Sequence, residues 1–307
     1  MTFIPYLLDI TIYIKANIKD IFFTGKLIKS LLIDANPKLK SLFKKSRGAL
    51  PKLIHISPLY ETNNGKFQCV YSYAIMDTKG NKIKGIRSVT IKDGIYKFYV
   101  GFVESNVINT AVDFETIYNT LLNISGKHKF KKYVINVELL SIDIIDVYNN
   151  TEYLVKKFLK NMKLKIIFSS PTLLRDPLRT SKQKSLIPTP INLFSTPLYI
   201  NLFLEGKLRR RIFMKTLLML HRIINEPYSI YRTVKIKWIL YDREKQPIPT
   251  LTGYVNFYLN KDYYEYYSLK YDIEKNLRNI FLTLSALGTG TSRATGFGHI
   301  LVKNTTK

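Results

Sequence analysis

Two tandem ferredoxin-like domains, an α+β architecture built on antiparallel sheets, are what the residue pattern of this chain predicts. Three observations carry the prediction. One order of elements, β-α-β-β-α-β, is read twice along the 307 residues. The chain is 46% apolar and 13% aromatic, enough for proper cores despite its charge. Its single cysteine, Cys69, excludes an internal disulfide as the source of stability and reads as a small core residue.

In the first half, residues 6–14 alternate and are β-branched, which predicts a strand. A helical pattern follows over 25–42, interrupted near Pro37, and a strand over 52–59. Residues 67–74 and 83–91 read as an inserted hairpin turning at Gly80 and Asn81. A strand at 95–103, a helix at 112–122 and a strand at 133–145 complete the unit, with 126–132 as a lysine-rich turn. The second half repeats the order: strand 162–168, a proline-rich basic loop to residue 190, mostly helix over 198–225, and strands 230–241 and 253–259. A helix within 263–287 and a strand over 297–302 close the set. The expected organisation is an N-terminal domain 1–150, a linker 151–159 and a C-terminal domain 160–307.

Lys plus Arg outnumber Asp plus Glu by 48 to 22, a net charge of +26. So large an excess, spread through folded-looking segments, points to a binding face for nucleic acid or an anionic surface. No apolar stretch reaches the ~18 residues of a membrane span, and the first residues lack the basic flank and cleavage site of a signal peptide. A soluble cytoplasmic protein is expected.

The most informative segment is the run ALGTGTSRATGFGHILV at 286–302. Gly288, Gly290, Gly296 and Gly298 flank Arg293 in the pattern G-x-G-x5-G-x-G, between a helix and a strand. Successive free amides in such a loop can cradle an anion, and Arg293 can add a bidentate phosphate contact. A dinucleotide fingerprint is excluded, because it follows a strand and opens a helix. A P-loop is excluded as well, since no lysine follows Gly296. The loop resembles the C-terminal signature of the RAMP superfamily of CRISPR-associated proteins, and best its repeat-RNA-cutting branch, the Cas-six endoribonucleases. The runs IIFSSPTLLR (166–175), LTGYVNFY (251–258) and KLIHISPL (52–59) resemble further segments of that branch. One departure is Thr289, where the family usually has an apolar residue.

The resemblance implies CRISPR repeat RNA as partner and metal-independent cleavage by 2′-hydroxyl attack on the adjacent phosphate, with no cofactor and no metal. It also implies guide-RNA production, and leaves both monomer and homodimer open. Many members carry a histidine in or after the first helix; here none lies between Ile10 and Leu53. Some archaeal members without it carry a lysine cluster instead, which Lys26, Lys29 and Lys52 match as T-x-K-x-x-K and K-x-I-x-I-S. Clustered ammonium groups depress one another's pKa, so one can accept a proton or all can stabilise the phosphorane. Tyr60, beside the same strand end, is a second candidate for a phosphate contact. The four histidines, His55, His128, His221 and His299, are each weaker candidates.

RNA contacts are expected from the basic stretch 175–215, chiefly Lys182, Lys184, Arg209, Arg210 and Arg211. Three adjacent helical arginines span about 200°, so two of the three are expected to face one partner. The tyrosines of 263–267 offer rings that can stack on bases or bury at a helix start. The competing functional class is a non-catalytic RNA-binding RAMP subunit working with other CRISPR-associated proteins; a generic basic RNA-binding protein is the third.

Overall fold

The computed structural model describes residues 3–44, 50–63, 66–77, 80, 82–105, 112–179, 184–226, 230–242 and 246–304. Lys182 and Asn81, both singled out above, lie outside the described residues. The first half contains β1 (Phe3–Lys15), β2 (Ile18–Ile21), α1 (Gly25–Ala35), α2 (Lys40–Phe43) and β3 (Ile54–Ile56). Five short or long strands follow, β4 (Tyr60–Asn63), β5 (Lys66–Cys69), β6 (Tyr73–Met76), β7 (Ile83–Arg87) and β8 (Val89–Ile91). Then come β9 (Gly94–Ser105), α3 (Phe114–Leu122), β10 (Gly126–Phe130) and β11 (Tyr133–Ile145).

The second half runs α4 (Val147–Asn161), β12 (Lys163–Thr172), β13 (Leu174–Arg175), β14 (Lys184–Ser185), α5 (Pro190–Leu204) and α6 (Arg210–Ile223). It continues through β15 (Ile224–Asn225), α7 (Ile230–Thr233), β16 (Val234–Ile239), β17 (Ile248–Leu259) and α8 (Lys261–Ser268). It ends with α9 (Ile273–Leu287), a 3₁₀ turn Arg293–Thr295 and β18 (Ile300–Lys303).

Each half arranges its main strands in the same way. The first sheet places β11, β1, β9 and β3 side by side, and the second places β18, β12, β17 and β16. In both, the fourth strand of the unit lies beside the first, then the third, then the second, all antiparallel. This is the double ferredoxin-like architecture that the element order predicts. In α1 the apolar residues Leu27, Ile28, Leu31 and Leu32 recur at helical spacing and are buried against the first sheet. The helix stops at Asn36, which precedes Pro37 and is extended, as a residue before proline prefers.

Three expectations change. The inserted hairpin is two hairpins, β4–β5 on the first sheet and β6–β7 on the second, with β6 pairing β16 through Trp238 and Ala74. Residues 67–74 therefore change sheets midway, which a continuous alternating pattern does not disclose. Residues 126–130, expected as part of a turn, form β10 against β11, because a lysine-rich edge strand keeps its charges in solvent. Residues 151–159, expected to be a linker, lie inside α4, which buries Thr151, Val155 and Phe158 and packs on α9.

The halves are joined through a shared core of Phe3, Leu53, Val103, Ile200, Leu204, Ala286 and Leu287. At its centre β9 lies directly on α9: a Cβ at Gly101 would stand 1.7 Å from the Ala286 carbonyl oxygen. Among the described residues no helix is long and apolar enough to cross a membrane. Gly101→Ala is expected to lose about 3 kcal/mol of stability through forced separation of the two backbones. Gly85→Ala, at a glycine with open space around it, should change it by less than about 0.5 kcal/mol. Denaturant unfolding of the two variants checks the contrast.

Candidate functional site

The glycine-rich loop is a buried clasp, and this corrects the expectation of an open anion cradle. All four glycines have positive φ and are buried. A Cβ on Gly288 would meet the Gly298 carbonyl oxygen at 2.2 Å, and one on Gly298 the Thr289 oxygen at 2.0 Å. Gly290 sits on the Leu173 carbonyl, and Gly296 on Gly25 and the Phe23 ring. The loop amides are largely spent inside the protein: Gly288 on Leu284, Thr289 on Gly298, Thr291 on Leu173 and Gly298 on Pro171. Glycine is needed here for backbone-to-backbone approach, not for exposing N–H groups.

Thr289, the departure from the family pattern, has a specific partner. Pro197 sits inside α5 without an N–H, so the carbonyl of Leu193, four residues earlier, lacks its helical donor. The Thr289 hydroxyl donates to that carbonyl. A buried apolar residue at 289 would leave the oxygen unpaired.

Arg293 is likewise turned inward. Its guanidinium donates from Nη1 to the Leu287 carbonyl at the end of α9, and from Nη2 to the Lys52 carbonyl, both at 2.9 Å. Burial lowers its pKa to about 10. The side chain expected to touch phosphate instead fastens the C-terminal half to the segment that carries Lys52.

The three lysines are linked electrostatically at this junction, Lys26 with Lys29 and Lys29 with Lys52. Thr24, just ahead of α1, is buried, donates its hydroxyl to the Val70 carbonyl and accepts from Leu59 N–H, which fixes the helix start beside the end of β3. Lys26 in the first turn donates to Asp242 Oδ2 at 3.0 Å and lies 4.0 Å from the centre of the Tyr241 ring. Burial and then Lys26 lower the pKa of Lys29. Burial, Lys29 and Arg293, in that order, lower that of Lys52. No acidic residue occupies the first turn of α1, so the positive end of the helix adds to the cationic field. Asp242 and Tyr241 were not foreseen, since nothing in a local pattern links residue 242 to residue 26.

The histidines lie outside this cluster. His55 and His299 are fully buried and stacked 5.3 Å apart. His55 Nδ1 faces the Arg293 carbonyl at 3.1 Å and must carry the proton, because a carbonyl only accepts. Its Nε2 then accepts from His299 Nδ1 at 3.1 Å, which leaves His299 Nε2 as a buried acceptor without a partner. Both rings are neutral: burial, His299 and Arg293 push His55 well below the usual histidine range, and burial lowers His299 to about 4. Tyr60 is also buried, with its hydroxyl unpartnered, so it is not exposed to a phosphate. His128 donates to the Ile124 carbonyl and faces Asp34 in the last turn of α1, away from the lysines at its start, and His221 lies on α6.

The basic stretch divides. Lys184 donates to Thr291 Oγ1 at 2.7 Å, which puts it over the exposed apex of the glycine loop. Arg209, Arg210 and Arg211 are all exposed where α6 begins, on a helix packed on α5 and α8. Of the tyrosines, Tyr263 and Tyr266 remain exposed while Tyr267 accepts from Arg222.

No family model and no curated protein matches the chain by sequence. Solved structures do match it in shape. A Cas6 product complex aligns with TM-score 0.54 and 11% identity, covering 98% of this chain and 100% of the other. Cas6 of Thermus thermophilus aligns at 0.50 with 11% identity over 99% and 100%. The chain shares the double ferredoxin-like fold of these Cas6 structures. A RAMP protein described as binding different RNA substrates also aligns, at 0.50 and 10% identity over 97% and 99%.

Thr289→Val is expected to cost about 1–3 kcal/mol by orphaning the Leu193 carbonyl. The loss should shrink in a Pro197→Ala background, where the restored N–H takes over, and a double-mutant cycle measures this. A second outcome concerns pH. Unfolded histidine binds its proton near pH 6.5, whereas folded His299 binds it only at about 4. The unfolded chain therefore holds more protons between those values, and stability declines as pH falls through that window. Thermal midpoints from pH 7 to 4 should show the decline, and His299→Gln should reduce it, leaving the part that His55 contributes.

Proposed function

We propose that this chain is a metal-independent endoribonuclease that binds CRISPR repeat RNA and cuts precursor transcripts into guide RNAs. The observation that carries the reading is the electrostatic coupling of Lys26 and Lys29, in the first turns of α1, to Lys52 just ahead of β3, with the ammonium forms of Lys29 and Lys52 disfavoured. The Cas6-type fold supports the same reading, because two of the aligned structures are a Cas6 product complex and a RAMP protein binding RNA substrates.

The chemistry suits such a corner. The 2′-hydroxyl oxygen attacks the adjacent phosphorus, the P–O5′ bond breaks, and a 2′,3′-cyclic phosphate and a 5′-hydroxyl result. The 2′-oxygen loses a proton and the 5′-oxygen gains one. Lys52, its pKa lowered by burial, Lys29 and Arg293, is assigned the proton exchange, since an ordinary lysine near 10.4 is a poor base at neutral pH. Lys29 and Lys26 stabilise the charge of the phosphorane. Lys184, Arg209, Arg210 and Arg211, all exposed, hold flanking phosphates. Arg293 and the glycines act by holding Lys52 and α1 in register.

The second reading, a non-catalytic RNA-binding RAMP subunit, draws on the histidines: none of the four stands with the lysines, and His55 and His299 are sealed inside. Cleavage of end-labelled repeat RNA in excess EDTA separates the two. A single cut abolished by one 2′-deoxy substitution at the cut site, and slowed about 100-fold by Lys52→Ala, is expected. Tight binding to both RNAs with no cut would make the protein a binder.

A further inference from the structure

An open groove of about 520 Å³ lies where the chain passes from the first sheet to the second, between the ends of β5, β6, β7, β8 and β16. It is separate from the lysine corner, and resting on the RNA reading above we propose that it binds an unpaired stretch of the RNA. The floor is aromatic. Tyr71 and Tyr73 stand 6.3 Å apart with their rings inclined at 57°. Lys237 Nζ lies 5.4 Å from the centre of the Tyr71 ring and 4.8 Å from that of Tyr73. Arg87 Nη1 donates to Tyr73 Oη at 3.4 Å.

Arg87, Lys92 and Lys237 line the groove against one acidic side chain, Glu61. Among the described residues, none of the three cations forms an ion pair. Arg87 is exposed, while Tyr73 is half-buried, with one side packed against the cluster of Phe23, Tyr71, Leu173, Ile239 and Phe297 and the other side open to the groove. Rings beside unpaired cations, in a concavity of ligand size, match an unpaired nucleotide: the base stacks while the phosphate meets Arg87 or Lys237. A duplex cannot use these rings, because its bases are already stacked.

The groove also lies on a path to the lysine corner. Tyr71 forms a backbone bridge to Phe23, whose carbonyl accepts from Lys26 N–H. Lys237 precedes by four residues Tyr241, whose ring lies under Lys26, a span of at most roughly 13 Å at ~3.3 Å per residue. One RNA strand can therefore occupy both places.

The test uses the full chain with a short labelled oligouridine and a labelled RNA duplex, binding measured across salt concentrations. Tyr73→Leu and Lys237→Gln should each weaken the oligouridine on the order of tenfold. Lys237→Gln should also lower the salt slope by about 0.7, one phosphate contact, with duplex binding unchanged. Arg87→Gln, at an exposed position where folding is not at stake, should weaken the oligouridine in the same direction. If the parent binds oligouridine and these variants bind it equally well, the groove proposal fails and the RNA reading stands. An equal loss on the duplex would also overturn it, by making the surface a general electrostatic one. If the parent binds neither RNA, the RNA reading has failed and the groove proposal with it.

Discussion

A buried guanidinium ties this molecule together. Arg293 is enclosed between the two halves, and among the described residues it has no carboxylate partner. Carbonyl dipoles compensate its charge instead: Leu287 at the negative end of α9, and Lys52 just ahead of β3. Its own carbonyl accepts from His55. Desolvating a cation is expensive, and the arrangement persists because one residue fixes the end of a helix and the approach to a strand through its side chain and a buried histidine pair through its carbonyl. The same cation lies close enough to Lys52 to help disfavour its ammonium form. Structural clasp and lysine corner thus share one charge.

The glycines follow from that constraint. With Arg293 inside, the loop must pass within backbone contact of α1, of residue 173 and of itself, and only residues without a Cβ fit. Phe23 and Phe297 stack 4.4 Å apart across the same seam. Thr24 then sets where α1 begins, and Lys26 and Lys29 rise from its first turns near Lys52. A helix start bearing a lysine and no acid works against its own dipole by about 0.3–1 kcal/mol. That is a poor choice for stability and a good one for receiving a phosphate.

The fold class was legible because each half keeps its hydrophobic periods and their order, from the alternation of residues 6–14 to the helix before Gly288. The lysine trio was nominated by spacing and family resemblance together. Other features were not, for physical reasons. Arg293 looks the same in sequence whether it faces a phosphate or two carbonyls, since both are acceptors. The start of α5 was hidden by Pro190 and Pro197, the first a favoured entry residue and the second tolerated because Thr289 takes the orphaned carbonyl. The sheet exchange at residues 70–73 depends on partners more than 160 residues away, Trp238 and Ile239, which no local pattern contains.

The central claim is that the clasp holds three lysines against the phosphate to be broken. A crystal structure of the protein with repeat RNA carrying a 2′-deoxy nucleotide at the cleavage site tests it most directly. The account predicts the intact phosphate within about 3 Å of the Lys52 and Lys29 ammonium nitrogens, with Arg293 still bonded to the Leu287 and Lys52 carbonyls. A scissile phosphate held elsewhere, with the lysines facing solvent or Arg293 swung out onto the RNA, would contradict it.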